Sequence, residues 1–270
     1  MSFPGKRLED AWKALRKRRP LVYHLTNGVA MAEQAHVTLA AGASPVMSLC
    51  AEESESFARA ADAVLINIGT PSAASGEIGE RAALAAKEAG HPVVLDPVGF
   101  GATDLRNRLV RSLLETGCIT VVKGNASEIC LLAGQAGSVR GVDRGLSPDP
   151  ATAVLEVARR ERLIAAATGK TDWVSDGERT WAVEGGSPML ESFSGSGCWL
   201  GSVVAACIGA SGDPVAGTLA ALCAFGAAAE EAASLSRGPG SFRAHFLDSL
   251  HRLALGGTLP VAGRIREVSP

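Results

Sequence analysis

The sequence predicts an α/β fold of three layers, α/β/α, around a mainly parallel central sheet. Three observations carry that expectation. Short apolar runs recur at 21–25, 45–49, 63–68, 92–95, 119–122 and 163–167. Most of them end in Gly, Asn, Asp or Thr and lead into an amphipathic stretch, as at 76–89 and 151–160, so strand and helix periodicities alternate. The runs themselves lack polar alternation, which suits strands covered by helices on both faces.

In chain order, residues 8–15 have helical apolar spacing. Arg16-Lys17-Arg18-Arg19 follows them, where cations complement a helix C-terminus. The six apolar runs and the stretches between them then read as repeated β-α units. The stretch 134–150, rich in Gly, Ser, Pro and Asp, reads as a surface loop. After Thr168 the rhythm changes: 173–175 and 180–183, separated by Asp176-Gly177-Glu178-Arg179, form a hairpin with Asp-Gly in its turn. From Gly197 the chain is nearly all helix, in three long segments ending near Leu255. The most apolar stretch, 214–229, is rich in Ala and Gly, shorter than a bilayer span, and expected to be buried in the fold. No composition break divides 1–270, so one domain is expected.

A net charge of −2 and pI near 6.2 argue against nucleic acid or an anionic membrane as partner, since either needs a sustained basic field. Cysteines at 50, 118, 130, 198, 207 and 223 show no CxxC pair and no nearby histidine at zinc spacing, so they read as reduced thiols in a cytoplasmic protein. The five histidines are scattered, and His24 stands out only because it precedes Thr26-Asn27.

Ligands of open α/β sheets bind outside the carboxyl ends of the strands. The polar residues there are Thr26-Asn27-Gly28, Met47, Asn67 to Thr70, Asp96 to Gly99, Lys123-Gly124-Asn125 and Thr168-Gly169. A further feature is Ser194-Gly195-Ser196-Gly197-Cys198, a glycine-rich turn opening into an apolar helix. Converging N–H groups of Gly195, Ser196, Gly197 and Cys198 at a helix N-terminus suit an anion such as phosphate. In that field the Cys198 thiol is expected to have a lowered pKa. Asn125-Ala126-Ser127-Glu128 has two readings, a helix capping box or a carboxylate that organises a metal, and Asp96 likewise reads as a helix cap or a metal-organising acid. Lys123 and Thr168, at neighbouring strand ends, offer charge and hydroxyl to phosphate. Neither a P-loop nor GxGxxG occurs.

Taken together, Thr26-Asn27, Gly42 to Met47, Asn67 to Thr70, Asp96 to Gly99, Gly124 to Glu128, Thr168-Gly169, Gly195-x-Gly197-Cys198 and Gly238 to Phe242 resemble the hydroxyethylthiazole kinase family. The resemblance implies a ribokinase-like fold and ATP-dependent phosphorylation of the hydroxyethyl group of 4-methyl-5-(2-hydroxyethyl)thiazole. It implies a homotrimer with active sites between subunits. Carried over by residue, Met47, Asn27 and Gly195 would line the substrate, Lys123 and Thr168 would bind ATP, and Asp96 with Glu128 would organise Mg²⁺. Cys198 would stand where many ribokinase-like enzymes have an aspartate base. Lys123 replaces the family's usual Arg, which loses bidentate phosphate contact but keeps charge. Ser194 replaces its usual Thr. A kinase for another alcohol, such as a hydroxymethylpyrimidine, and a catalytically silent thiazole- or nucleotide-binding protein are the rival readings.

Overall fold

The computed structural model describes residues 5–135 and 149–268. Its strands are β1 (Leu21–Leu25), β2 (Ser44–Met47), β3 (Ala63–Asn67), β4 (Val93–Asp96), β5 (Val121–Asn125), β6 (Ile164–Thr168), β7 (Thr171–Ser175), β8 (Thr180–Glu184) and β9 (Ile265–Val268). Among the described residues these form one sheet in the order β2-β1-β3-β4-β5-β6-β7-β8-β9. Pairing is parallel from β2 through β6 and antiparallel from β6 to β9.

The unbroken apolar runs have a direct structural cause. Adjacent strand residues such as Val22 and Tyr23, Leu65 and Ile66, Val94 and Leu95, or Val121 and Val122 go to opposite cores. One core is closed by α1 (Gly5–Arg18), α2 (Met31–Ala40), α8 (Ser196–Ser211), α9 (Pro214–Leu235) and α10 (Pro239–Ala254). The other lies beneath α3 (Ala51–Ala60), α4 (Ser75–Glu88), α5 (Asp104–Glu115), α6 (Ala126–Leu132) and α7 (Pro150–Glu161).

Several helix starts are written in the sequence. Thr103, Asp149 and Asp213 accept backbone N–H groups at the N-termini of α5, α7 and α9, and Pro150 and Pro214 follow the last two. The hairpin forms as expected, with Gly177 at φ 89° and Asp176 N donating to Arg179 O at 3.2 Å.

Four expectations need correcting or bounding. The strand expected at 119–122 begins at Val121 and runs to Asn125, because its pairing with β6 extends from Val121 opposite Ile164 to Asn125 opposite Thr168. Lys123 therefore sits inside β5 instead of at its end. The apolar stretch at 214–229 belongs to a helix of 22 residues, long and apolar enough to cross a membrane, yet 72% of its apolar window is buried against the rest of the fold. Strand β9 was not anticipated; four residues at the end of the chain complete the antiparallel edge. Most of the 134–150 loop lies outside the described residues.

The topology also locates the crevice. Strand β1 has β2 on one side and β3 on the other, so successive connections run in opposite directions and the loops after β1 and β3 part.

Candidate active site

Two asparagines meet at that switch point. Asn27, just past β1, accepts the N–H groups of Val29 and Ala30 on Oδ1 at 3.0 and 2.9 Å. Its planar amide then directs Nδ2 to Asn67 Oδ1 at 2.8 Å and Cys198 Sγ at 3.5 Å. Asn67, the last residue of β3, also accepts from Gly69 N at 2.9 Å, and its Nδ2 donates to Asp96 Oδ2 at 2.9 Å. Lys123 Nζ donates to the same Oδ2 at 3.1 Å and to Gly197 O at 2.8 Å. A continuous set of buried contacts thus runs from the Cys198 thiol through two amides to an ion pair and back to the first turn of α8. Gly69 must lack a side chain for this closure, since a Cβ there would stand 2.8 Å from Asn27 Nδ2.

The turn before α8 depends on Gly195, which has φ 84° and whose Cβ would meet that of Ala30 at 3.0 Å. No side chain caps this helix; the Ser196 hydroxyl donates instead to Leu190 O at 2.8 Å. The N–H of Cys198 is already given to Gly195 O at 2.8 Å. The expected four-residue anion turn is therefore narrower: the N–H groups of Gly195, Ser196 and Gly197 find no acceptor among the described residues, and Cys198 drops out.

The expectation of a lowered Cys198 pKa is overturned. Burial pushes the thiol up, Asp96 adds to the push, and Lys123, Asn67 and Asn27 oppose it without prevailing. A helix terminus cannot compensate for lost solvent at a cysteine only 6% exposed and under the charge of Asp96. Burial alone would lower Lys123, but Asp96, supported by Cys198 and Glu128, holds the ammonium above its ordinary value. Burial raises Asp96 against the pull of Lys123 and Asn67. His24 lies behind the site, bound to Val22 O and Ser202 Oγ, and burial lowers it to about 4, so it is a neutral structural imidazole.

On the far side of the α8 terminus a cavity of about 740 Å³ opens. Thr168, Gly169, Asp172, Gly186, Ser196 and Gly197 line its polar part, and Leu200, Leu222 and Phe225 its apolar wall. Thr168 Oγ1 donates to Gly124 O at 3.2 Å, so its one proton is committed in this state. Asp172, missed in the sequence, accepts from Gly169 N at 2.9 Å and is pushed up to about 7, mainly by burial. Another cavity, about 620 Å³ and lined by His91, Cys118 and Arg162, opens at the opposite strand ends and shares no residue with this one.

The site residues expected from sequence thus fall into two groups. Asn27, Asp96, Lys123 and Cys198 are linked by contacts, whereas Thr168 and the Gly195–Gly197 turn face or flank the cavity. Met47 is joined to neither. It pairs with His24 on the edge strand β2, five strand spacings or about 24 Å from β6.

The capping-box reading of Asn125–Glu128 holds: Asn125 Oδ1 accepts from Glu128 N at 2.9 Å and Glu128 Oε2 from Asn125 N at 2.8 Å. Glu128 Oε1 also accepts from Gly99 N at 2.7 Å. Asp96 is not a helix cap, since α5 begins at Asp104 with Thr103 as its cap. Among the described residues no three His, Cys, Asp or Glu side chains gather to cage a metal. Mg²⁺ needs no such cage; it is held by one or two carboxylates, waters and substrate phosphates. Asp96 and Glu128 fit that donor chemistry, with both Asp96 hydrogen bonds on Oδ2 and Oδ1 left for another partner.

Known proteins resemble this chain over nearly its whole length. The pattern of the hydroxyethylthiazole kinase family matches residues 12–255. Hydroxyethylthiazole kinase of Methanoculleus marisnigri is 46% identical over 242 residues, covering 89% of this chain and 87% of that protein. The structure of hydroxyethylthiazole kinase from Pyrococcus horikoshii aligns with TM-score 0.87 at 37% identity, covering 98% of this chain and all of the other. Pyridoxal kinase of Staphylococcus aureus, 13% identical with TM-score 0.55 over 78% of this chain and 87% of that one, shares the ribokinase-like fold alone. The similarity extends across both groups of site residues and nearly the full length of the relatives, and the chain belongs to the hydroxyethylthiazole kinase family.

Proposed function

We propose that the protein transfers the γ-phosphoryl group of ATP to the hydroxyl of 4-methyl-5-(2-hydroxyethyl)thiazole, a step of thiamine salvage. The observation that carries this reading is the N-terminus of α8. Ser196 and Gly197 line a nucleotide-sized cavity, and Cys198, the next residue, meets Asn27 on the other side. The family membership supports the same assignment.

In this mechanism the alcohol oxygen attacks the γ-phosphorus in line, forming the new O–P bond as the bond to the ADP oxygen breaks. The free N–H groups of Gly195, Ser196 and Gly197 receive the charge of the transferring group, and Thr168 turns its hydroxyl from Gly124 O to the phosphates. Lys123 adds positive charge from directly beneath Gly197. Asp96, with Oδ1 unengaged, and Glu128, each of whose oxygens accepts one backbone N–H, are the residues that would hold Mg²⁺. When bound, Mg²⁺ neutralises charge on the β- and γ-phosphates. Cys198, a neutral thiol at pH 7, orients the alcohol beside Asn27, and the alcohol proton leaves late to water or to an oxygen of the transferred phosphoryl group. A loose, metaphosphate-like transition state asks little of a base.

Met47 would reach the thiazole across a subunit boundary. It lies on the exposed sheet edge, and Val29, Leu39 and Leu49, at least 52% exposed, belong to the same β1–α2–β2 segment. A homotrimer that covers this edge follows from the reading. Coupled ADP release with Mg·ATP over a panel of alcohols tests it. Turnover of the thiazole alcohol well above a hydroxymethylpyrimidine is expected; nucleotide binding without ADP release from any alcohol would overturn it, and light scattering reports the trimer.

A further inference from the structure

Asn67 makes more contacts than closing a strand end requires. A turn after β3 needs only one acceptor for Gly69 N, which Asn67 Oδ1 supplies at 2.9 Å. The same side chain also takes a hydrogen from Asn27 and gives one to Asp96, so it joins the asparagine beside Cys198 to the acid paired with Lys123. The pairing register explains the reach: Asn67 stands opposite Asp96 on adjacent parallel strands.

The amide orientation is determined by chemistry. Two donors, Gly69 N and Asn27 Nδ2, converge on one atom, which must be the carbonyl oxygen, and the carboxylate of Asp96 requires the NH₂ on the other. Aspartate has the same shape but no hydrogen for Asp96. Glutamine is one methylene too long. Asn27 in turn has its oxygen held by Val29 N and Ala30 N, so capture of one Nδ2 hydrogen by Asn67 aims the second at Cys198 Sγ.

We propose that Asn67 is a positioning residue for phosphoryl transfer, setting the distance between the thiol that orients the alcohol and the Asp96–Lys123 pair that serves the phosphates. The proposal rests on the kinase reading, and wild-type turnover tests that reading first. With a turning-over wild type, Asn67→Ala should lower kcat about 100-fold, the worth of two side-chain hydrogen bonds, while KM for ATP and for the alcohol stay within threefold. Asn67→Asp should lose as much despite its shape, and carries the test if the alanine variant does not fold. The double variant Asn27→Ala/Asn67→Ala should be no worse than the worse single within threefold, because both act on one relay. A readout independent of turnover is alkylation of Cys198 by iodoacetamide, followed by mass mapping with exposed Cys50 as internal reference. Both single alanine variants should slow it about fivefold, since sulfur loses the donors that favour thiolate. An Asn67→Asp enzyme with wild-type kcat, multiplicative effects in the double variant, or unchanged alkylation would each overturn the proposal.

Discussion

The two sides of the α8 N-terminus are made of different material. On the side of the proposed nucleotide cavity, backbone from Gly169, Gly186 and Gly197 and the N-terminus of α8 lines an open cavity, alongside separate polar side chains such as Thr168 and Asp172. On the other side it is side chain against side chain, with Asn27, Asn67, Asp96 and Lys123 all buried and mutually bonded. An anion held by N–H groups tolerates many side chains, because the donors come with any residue. A buried relay tolerates few, because each missing member strands the next. The two sides should therefore differ sharply in their response to single substitutions.

The largest effect tests that difference at the ion pair. Lys123 and Asp96 are each about 2% exposed, so Lys123→Ala leaves a buried carboxylate without its cation. Loss of about 3–5 kcal/mol is expected in denaturant unfolding, the usual cost of breaking a buried pair from one side, together with nearly all activity. Lys123→Arg should keep both stability and turnover. An alanine variant as stable as wild type would show the relay to be open to water and the contrast between the two sides to be false.

Cys198→Ser sharpens the relay side next. Serine keeps a hydroxyl near Asn27, so kcat should fall about tenfold with KM for the alcohol little changed, a loss confined to the transition state. The pH dependence separates two roles. The wild-type thiol pKa is raised by burial and by Asp96, so a thiolate base would make kcat climb tenfold per pH unit from 7 to 9. A thiol that orients the alcohol gives a flat profile over that range, which is the expected result.

The same contrast explains what the sequence made legible. Backbone features leave local signatures: Gly-x-Gly before an apolar run, Thr-Gly after a strand, Asn-x-x-Glu at a helix start. Parallel strands show as apolar runs because both faces are buried, and their ends mark the crevice. Nothing local says that Lys123 pairs with Asp96, or that the Asn125–Glu128 box also receives Gly99, because those depend on strand order. Asn67 was visible as a polar strand end, yet its role rests on β3 lying between β1 and β4. Cys198 shows the limit of a local rule, since a helix N-terminus favours thiolate only where solvent or cations outweigh burial.

On the nucleotide side, Thr168→Val should do little. The hydroxyl is bonded to Gly124 O, and the surrounding N–H donors remain, so KM for ATP should rise about threefold to fivefold with kcat nearly unchanged, roughly one hydrogen bond's worth. A loss of kcat comparable to that at Cys198 would mean that this hydroxyl contacts the transferring phosphoryl group itself, and that the backbone N–H groups cannot stand in for it.

The smallest effect concerns Asp172, an acid lining that wall together with Glu191. Burial is the main cause of its rise to about 7, with Glu184 adding to it, while Gly169 N and Lys123 act the other way. In the unfolded chain an aspartate titrates near 4. Between roughly pH 4 and 7 the folded protein therefore holds a proton that the unfolded chain has lost, and stability from this group falls as pH rises through that window. Asp172→Asn keeps an oxygen for Gly169 N and removes the titration. The variant should melt about 2–4 °C above wild type at pH 8, a shift of order 1 kcal/mol for a chain of this size, and the gap should narrow as pH falls and close near pH 4. A gap of opposite sign at pH 8 would mean that Asp172 is stabilised as a carboxylate. This wall would then be held by a charged side chain, as the relay side is.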